Sequence, residues 1–220
     1  MGGRGTYSSY ARATRGSTQG DPALNRNGMP KLAGGPESLE DAVLAARRSD
    51  YRDNCVSRVA VAVARSRGYD VEAVSAGQLD NSRLRQAPRS MFHWDDDGSA
   101  FAGWDKDIDA GTPRKFIKEQ MLAWGDGSIA MLDIEVSSAR GGRARDAHVM
   151  LVRNNGGTIE YIDPTPNSTV PISTQPARVG WPQLGKSGQT NSVELSRIDT
   201  ATFTDAGATA MKPYNGSRTT

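Results

Sequence analysis

Apolar residues in the first half of the chain recur at helical spacing in two segments. The first segment follows Ser38, a good N-cap residue, and Asp41 stands three residues later in a weaker form of the capping box. The apolar positions share one helical face, and they are Leu39, Ala42, Val43 and Ala46. This pattern predicts a helix that ends near residues 48–50.

The second apolar segment follows two residues that can cap a helix, Asp53 and Asn54. The Val-Ala run in this segment lacks the alternation that would distinguish a strand from a helix. The caps, the length and the stop residue Gly68 favour a helix. Its buried stripe is predicted to consist of Cys55, Val56, Val59, Ala60, Val63 and Ala64.

The remainder of the chain changes from irregular to β-rich sequence. Residues 69–74 predict a short strand, residues 77–111 are predicted to be irregular, and Thr112 and Pro113 predict a helix up to Gly125. Strands are predicted over 128–137, 147–153, 158–163 and 192–198, with a loop over 171–190. Asn155-Gly156 predicts a tight hairpin turn between the second and third of these strands. Helices followed by antiparallel strands indicate the α+β class.

Composition divides the chain into a folded domain with two extensions. Residues 1–35 are rich in Gly, Ser, Arg and Asn and predict a flexible basic N-terminal arm, residues 36–204 the domain, and residues 205–220 a loose C-terminal tail. The net charge of +2 does not argue for nucleic acid as a partner. The arm alone could contact nucleic acid, a membrane or an acidic partner, and a solvated tail is the interpretation that we favour.

Residue counts exclude several kinds of site. One cysteine cannot form an internal disulfide, so the fold is not expected to depend on an oxidising compartment. Two histidines and one cysteine at scattered positions match no zinc pattern, and no glycine-rich phosphate loop is present, so no metal or cofactor is predicted. The sequence has no apolar run long enough to span a membrane, and its start has no secretory signal peptide.

Cys55 is the first candidate for chemistry because it stands at a predicted helix N-terminus. The unpaired amides and the positive end of the helix dipole favour a thiolate at such a position, which makes a cysteine nucleophilic. The alternative is a small buried apolar residue, which describes most lone cysteines.

His148 and Asp163 are the candidates for a base and its partner. The predicted hairpin brings the start of the strand with His148 next to the end of the strand with Asp163, within reach of a carboxylate–imidazole contact. A carboxylate in that place would hold the tautomer of the ring and stabilise its charged form. His148 could equally be structural, and Asp163 before Pro164 could be ordinary turn chemistry. His93 is a weaker second candidate for the base.

Three segments in this order resemble the motifs of the papain-fold toxin family. The first is Asp53-Asn54-Cys55-Val56 with Arg65 and Arg67-Gly68-Tyr69-Asp70-Val71-Glu72-Ala73 behind it; the second is Ala147-His148-Val149; the third is Asn155-Gly156-Gly157 with Tyr161-Ile162-Asp163-Pro164. The resemblance covers about residues 38–198. Members often carry a second cysteine just after the first, whereas this chain has Val56-Ser57-Arg58.

The resemblance implies a papain-like thiol-hydrolase fold and a Cys55–His148–Asp163 triad that deamidates a glutamine side chain of a protein target. Asn54 and Gln78 are then candidate donors for the oxyanion. A cysteine protease or an acyl transferase could use the same triad, and a phage virion-associated accessory protein could keep the fold as a packing module. The implied partners are a protein substrate and either an immunity protein or phage particle components. The implied locations are the cytoplasm, a target cell after delivery, or a phage particle.

Overall fold

The architecture combines helices with antiparallel sheets, so the chain belongs to the α+β class. A computed structural model of the protein describes residues 20–48, 54–75, 77–79, 84, 87–95, 99–137, 145–165, 170–181 and 190–215. The helices are α1 (Pro22–Arg26), α2 (Leu39–Arg47), α3 (Cys55–Ser66), α4 (Pro113–Trp124) and α5 (Asp205–Ala208). The strands are β1 (Val71–Ala73), β2 (Phe92–His93), β3 (Phe101–Asp105), β4 (Ile129–Ser137), β5 (Arg145–Asn155), β6 (Thr158–Ile162), β7 (Ile172–Ser173), β8 (Thr190–Arg197), β9 (Thr202–Phe203) and β10 (Met211–Pro213).

The predicted helices begin and end where the capping residues indicate. The Ser38 hydroxyl accepts a hydrogen bond from the backbone N–H of Asp41 at 3.1 Å at the start of α2. The Asn54 side chain accepts one from Ser57 N–H at the start of α3, also at 3.1 Å. Gly68, just after α3, has a φ of +87°, a conformation that favours glycine and closes a helix.

Six antiparallel strands form the main sheet in the order β3-β8-β4-β5-β6-β7. The β5–β6 hairpin turns at Gly156 and Gly157, with φ of +59° and +84°, directly after the Asn155–Thr158 pair. Two consecutive residues at positive φ are what a two-residue turn of this twist requires. The hairpin prediction is confirmed, with its turn one residue later than the Asn155-Gly156 pair indicates.

Helices cover both faces of this sheet and divide the buried residues into two clusters. On one face, Met131, Val149 and Leu151 pack with the residues of α2 and α3. On the other face, Leu132 and Met150 pack with Ile117 and Met121 of α4, and side chains alternate between the two faces as strand geometry requires. The sheet is therefore the middle layer, and α3 lies on one side of it.

The prediction of a flexible N-terminal arm up to residue 35 is wrong for residues 20–35. Asp21 caps α1, and its carboxylate also accepts a hydrogen bond from Phe203 N–H at 2.7 Å and pairs with Arg67 at 3.1 Å. Leu24 is fully buried. The segment around α1 makes its contacts with distant parts of the chain, such as Phe203 and Arg67. Composition does not reveal contacts of this kind. Residues 1–19 lie outside the described residues.

The prediction of a loose tail from residue 205 is wrong for residues 205–215. Thr204 caps α5, and β10 pairs with β1 through Glu72 and Lys212. The carbonyl of Ala210 accepts a hydrogen bond from the Ser57 hydroxyl of α3. Small residues in this tail permit close packing, as at Gly207, where an added Cβ would lie 2.2 Å from the Met91 carbonyl oxygen. Residues 216–220 lie outside the described residues.

Two further segments carry more structure than their sequences predict. The stretch 77–111 contains β2, β3 and a 3-10 turn at Pro88–Met91, and the stretch 171–190 contains β7 and a 3-10 turn at Pro176–Val179. Strands of two residues, such as β2 and β7, are too short for alternation to be detected. Each is defined by its pairing with another strand, β2 with β9 and β7 with β6. Residues 182–189 of the second stretch lie outside the described residues.

Candidate active site

Cys55 is the first residue of α3, and the residue before it fixes the start of that helix. Asn54 is buried. Its side-chain oxygen Oδ1 accepts a hydrogen bond from Ser57 N–H, and its side-chain nitrogen Nδ2 donates one to the Val74 carbonyl after β1. The first amides of a helix have no acceptor within the helix, and together they place partial positive charge around Cys55. The side chain of Cys55 is partly exposed and packs against the core beside α3. The sulfur therefore lies at the N-terminal end of α3 and is accessible from solvent.

His148 lies on β5 and joins the thiol to a carboxylate. Its ring Nε2 is 3.0 Å from Oδ2 of Asp163, and Cys55 lies close enough to the ring to contribute to the raised pKa of His148. Since Nε2 serves Asp163, Nδ1 is the ring nitrogen left for the thiol. His148 and Asp163 are both buried. The structure thus brings together the three residues that the sequence singles out.

Asp163 owes its position to the point where β6 ends. The β5–β6 ladder finishes at the pair Leu151–Ile162, so Asp163 follows the last paired residue and reaches back along β5 to His148. Its Oδ1 accepts hydrogen bonds from Thr165, at 2.9 Å from the backbone N–H and 2.7 Å from the hydroxyl. These bonds hold the carboxylate while Oδ2 faces the ring.

Trp181 covers the contact between His148 and Asp163. Its ring stacks on the imidazole with centroids 4.5 Å apart and planes inclined by 14°. Its indole N–H donates to Oδ2 of Asp163 at 3.3 Å. A flat apolar ring in this place excludes water from the histidine–carboxylate bond and so strengthens it.

The electrostatics of the group favour a charged imidazole and a charged carboxylate. Burial opposes charge on His148, but hydrogen bonds to Asp163 and Cys55 outweigh it and raise the pKa of His148 to about 9. Burial also opposes charge on Asp163, but the hydrogen bonds from His148 and Thr165 hold the pKa of Asp163 below its ordinary value. An imidazolium beside a thiol is the arrangement that produces a thiolate–imidazolium pair.

An acidic residue lies near this group on the adjacent strand. Asp133 of β4 stands opposite Val149 in the register. Burial raises the pKa of Asp133 to about 6, with help from repulsion by Glu194 and Glu135, while attraction from His148 acts in the opposite direction. The charged form of Asp133 is therefore destabilised in the folded protein, and groups of this kind are common close to functional sites.

The two side chains predicted as oxyanion donors have structural partners instead. Asn54 caps α3 and holds Val74, as described above. Gln78 is exposed, and its carbonyl oxygen accepts hydrogen bonds from the backbone N–H and the hydroxyl of Ser75, both at 3.1 Å. No contact among the described residues brings either side chain to the triad. The helix amides at Cys55 are better placed to act as donors.

His93, the second candidate base, does not join this group. It lies on β2, where its neighbours Phe92 and Trp94 are buried and its own side chain is 66% exposed. The charged partner of His93 is Asp95, at 3.7 Å. Alternation along the short strand explains the difference, since the aromatic residues on either side take the inner face.

Two residues of the site carry no signal that sequence reasoning used. Trp181 lies 18 residues after Asp163, and only its residue type, a tryptophan in a segment predicted as a loop, could have indicated a role. Arg58 lies one turn after Cys55 and is completely buried, with its guanidinium donating to the Ala46 carbonyl at 2.6 Å. A charged residue beside a predicted apolar stripe is the signal for Arg58.

Searches for other features and for relatives give negative results. Within the described ranges, no group of three or more His, Cys, Asp and Glu side chains could hold a metal ion, and no helix is long and apolar enough to cross a membrane. No protein-family model matches the chain, and comparisons with curated proteins and with solved structures find no significant match. The geometry of the site is therefore the basis for any functional proposal.

Proposed function

We propose that this chain is a papain-like cysteine hydrolase that deamidates a glutamine side chain of a protein target, as an effector or toxin does. The observation that carries the proposal is the bond of 3.0 Å between His148 and Asp163, with Cys55 at a helix N-terminus and near enough to His148 to help raise its pKa. A thiol at a helix start, with histidine and acid on an antiparallel sheet, is the papain-type arrangement for nucleophilic catalysis. The resemblance of the same segments to papain-fold toxins supports deamidation over other thiol chemistry.

The proposed reaction begins when the Cys55 sulfur, as a thiolate, attacks the carbonyl carbon of the carboxamide. The resulting tetrahedral intermediate collapses as the carbon–nitrogen bond breaks, and the His148 imidazolium gives its proton to the departing ammonia. Water then attacks the thioester while His148 takes up one of its protons. The carbon–sulfur bond breaks, which restores Cys55 and leaves glutamate in place of glutamine.

The oxyanion of both steps is stabilised in this proposal by the start of α3. The backbone N–H of Cys55 is one donor, since it has no acceptor within the helix. The N–H of Val56, the next amide of α3, also has no acceptor within the helix and is the second donor. Asn54 contributes indirectly, because its cap keeps these amides aligned. Asp163 orients His148 and stabilises its charged form.

The test uses two probes, a blocked Gln-Gly dipeptide and unfolded casein. We expect ammonia to be released and the mass of each probe to rise by the difference between a carboxylic acid and an amide. Casein should not be cut into fragments. Cys55→Ala and His148→Ala should abolish the reaction, while His93→Ala, a change at the exposed histidine, should leave it intact. Fragments of casein would instead identify a protease, and incorporation of an added primary amine an acyl transferase.

A simpler measurement decides whether the site is reactive at all. We expect iodoacetamide to modify Cys55 at pH 6 faster than it modifies a free thiol, because the paired imidazolium stabilises the thiolate. Equal rates for Cys55 and glutathione, together with no turnover of either probe, would overturn the proposal and favour an accessory role for the fold.

A further inference from the structure

We infer that Thr165 is a positioning residue for the proposed reaction: it sets the orientation of the Asp163 carboxylate, and through that carboxylate the state of His148. This role rests on the proposed function, in which Asp163 holds the His148 ring. The mechanism above gives Thr165 no task of its own. Its task follows from the hydrogen bonds that the two oxygens of Asp163 accept.

The two oxygens of the Asp163 carboxylate have different partners. Oδ1 accepts hydrogen bonds from the backbone N–H and the hydroxyl of Thr165, at 2.9 and 2.7 Å. Oδ2 is 3.0 Å from Nε2 of His148 and accepts the indole N–H of Trp181 at 3.3 Å. Thr165 therefore binds the oxygen that does not face the ring, and it leaves Oδ2 directed toward His148.

The backbone of Asp163 is held by groups other than Thr165. Asp163 follows the last pair of the β5–β6 ladder, and its N–H donates to the Pro171 carbonyl at 2.8 Å. A fixed backbone does not by itself fix the carboxylate, because the last torsion of an aspartate side chain has broad minima. The bonds from Thr165 to Oδ1 restrict this torsion. The orientation of Oδ2 toward the ring is thus a task for which the hydroxyl of Thr165 is well placed.

Burial strengthens the contact between Thr165 and Asp163, since both residues are buried. A hydrogen bond to an ionised carboxylate is stronger than one between neutral groups, and more so away from water. Burial disfavours the charge on Asp163, but hydrogen bonds from His148 and then from Thr165 hold the pKa of Asp163 below its ordinary value. A carboxylate that is both charged and oriented is what stabilises an imidazolium.

A purely structural role for Thr165 makes a different prediction. An Asp side chain that bonds to the backbone two residues later closes a common kind of turn, and residues 163–165 form one. If the Thr165 hydroxyl only supported this turn, its removal would cost stability and leave the pKa of His148 unchanged. If the hydroxyl orients the carboxylate, its removal lowers the pKa of His148, because the imidazolium is then held less well.

The experiment titrates His148 by NMR and measures the rate at which iodoacetamide modifies Cys55 at pH 6, both in the full chain. The signals of the two histidines are assigned with His93→Ala. Thr165→Val removes the hydroxyl and keeps the shape of the side chain. We expect it to lower the pKa of His148 by about one unit, which is about a tenfold loss of affinity for the proton, and to slow the modification by a similar factor. Thr165→Ser retains the hydroxyl and should stay within about threefold of the parent.

Thr204→Val is the matched control because it removes a comparable hydroxyl elsewhere in the fold. The Thr204 hydroxyl donates to the Ser90 carbonyl at 2.7 Å and accepts a hydrogen bond from Gly207 N–H at 3.0 Å at the start of α5. Its loss should lower the free energy of unfolding. The pKa of His148 and the rate of modification of Cys55 should remain those of the parent.

The outcomes separate the role of Thr165 from the proposed function. A parent chain that turns over neither probe and reacts no faster than glutathione would overturn both. An active parent whose His148 titration is unchanged in Thr165→Val would overturn the role of Thr165 alone, as would an equal change in Thr204→Val. If Thr165→Val does not fold, as judged by circular dichroism, Thr165→Ala takes its place. If neither folds, Thr165→Ser decides: a pKa of His148 that falls by a full unit despite the retained hydroxyl would contradict the role, and an unchanged one would support it.

Discussion

The charge on His148 makes the stability of this protein depend on pH in a particular window. Burial opposes the charged ring, but hydrogen bonds to Asp163 and Cys55 raise its pKa from 6.5 to about 9. A folded-state pKa above the unfolded value contributes stability that is complete below the unfolded pKa. That stability is lost as the pH rises from 6.5 through 9. Each pH unit of difference corresponds to about 1.4 kcal/mol, so the full contribution is about 3 kcal/mol.

The perturbation that isolates this contribution is His148→Gln, which keeps a polar group of similar size and removes the titration. The free energy of unfolding is measured by urea denaturation at pH 6, 7.5 and 9.5, with tryptophan fluorescence as the signal. We expect the difference between the two proteins to decrease by about 3 kcal/mol between pH 6 and pH 9.5. Groups whose titration does not depend on His148 cancel in this difference.

A flat difference would refute the electrostatic account of the site. It would mean that the bond of 3.0 Å between His148 and Asp163 joins a neutral ring to the carboxylate across the whole range. Cys55→Ala provides an internal check, because Asp163 is a stronger contributor to the raised pKa than Cys55. In that variant we expect a smaller decrease over the same window, but not its disappearance.

Three further changes test separate parts of the structure. Trp181→Leu should lower the pKa of His148, measured by NMR titration of the imidazole signals, because the charged ring then loses the aromatic face stacked on it; Trp181→Phe, which retains a ring, should lower it less. Asp133→Asn should raise the free energy of unfolding by about 3 kcal/mol at pH 7.5 and leave it unchanged near pH 3, since burial and neighbouring acids disfavour the charged form; equal effects at both pH values would contradict this origin. Leu24→Ala should cost about 3 kcal/mol in urea denaturation, because Leu24 is fully buried although it lies in a segment of arm-like composition.

The parts of the fold that were predictable are those whose signals are local. The caps at Ser38, Asn54 and Thr112 mark the starts of α2, α3 and α4, because a cap works through hydrogen bonds within one helical turn. The turn of the β5–β6 hairpin is similarly encoded by adjacent glycines. Since the hairpin follows from its turn, the approach of His148 to Asp163 was predictable as well.

The segments of the fold that the sequence does not predict depend on residues far away in the chain. Residues 20–35 have the composition of a disordered arm, yet Asp21 bonds to Phe203 and Arg67 and thereby joins the two ends of the described fold. In the same way β10 exists because β1 offers it an edge. No window of local sequence contains both members of such a pair, so pattern analysis assigns these segments to loops.

The candidate site shows the same division between local and distant determinants. The identities of Cys55, His148 and Asp163 follow from a helix start and a hairpin, but the conditions that would make them reactive do not. Those conditions depend on Trp181, which stacks on the His148 ring and donates a hydrogen bond to Asp163. Since a cysteine beside a histidine becomes nucleophilic only when its surroundings favour the charged pair, variants at residue 181 examine the proposed activity more directly than removal of the triad does. Removal of the thiol abolishes any reaction that depends on it. A change in the pKa of His148 shows instead why the thiol reacts.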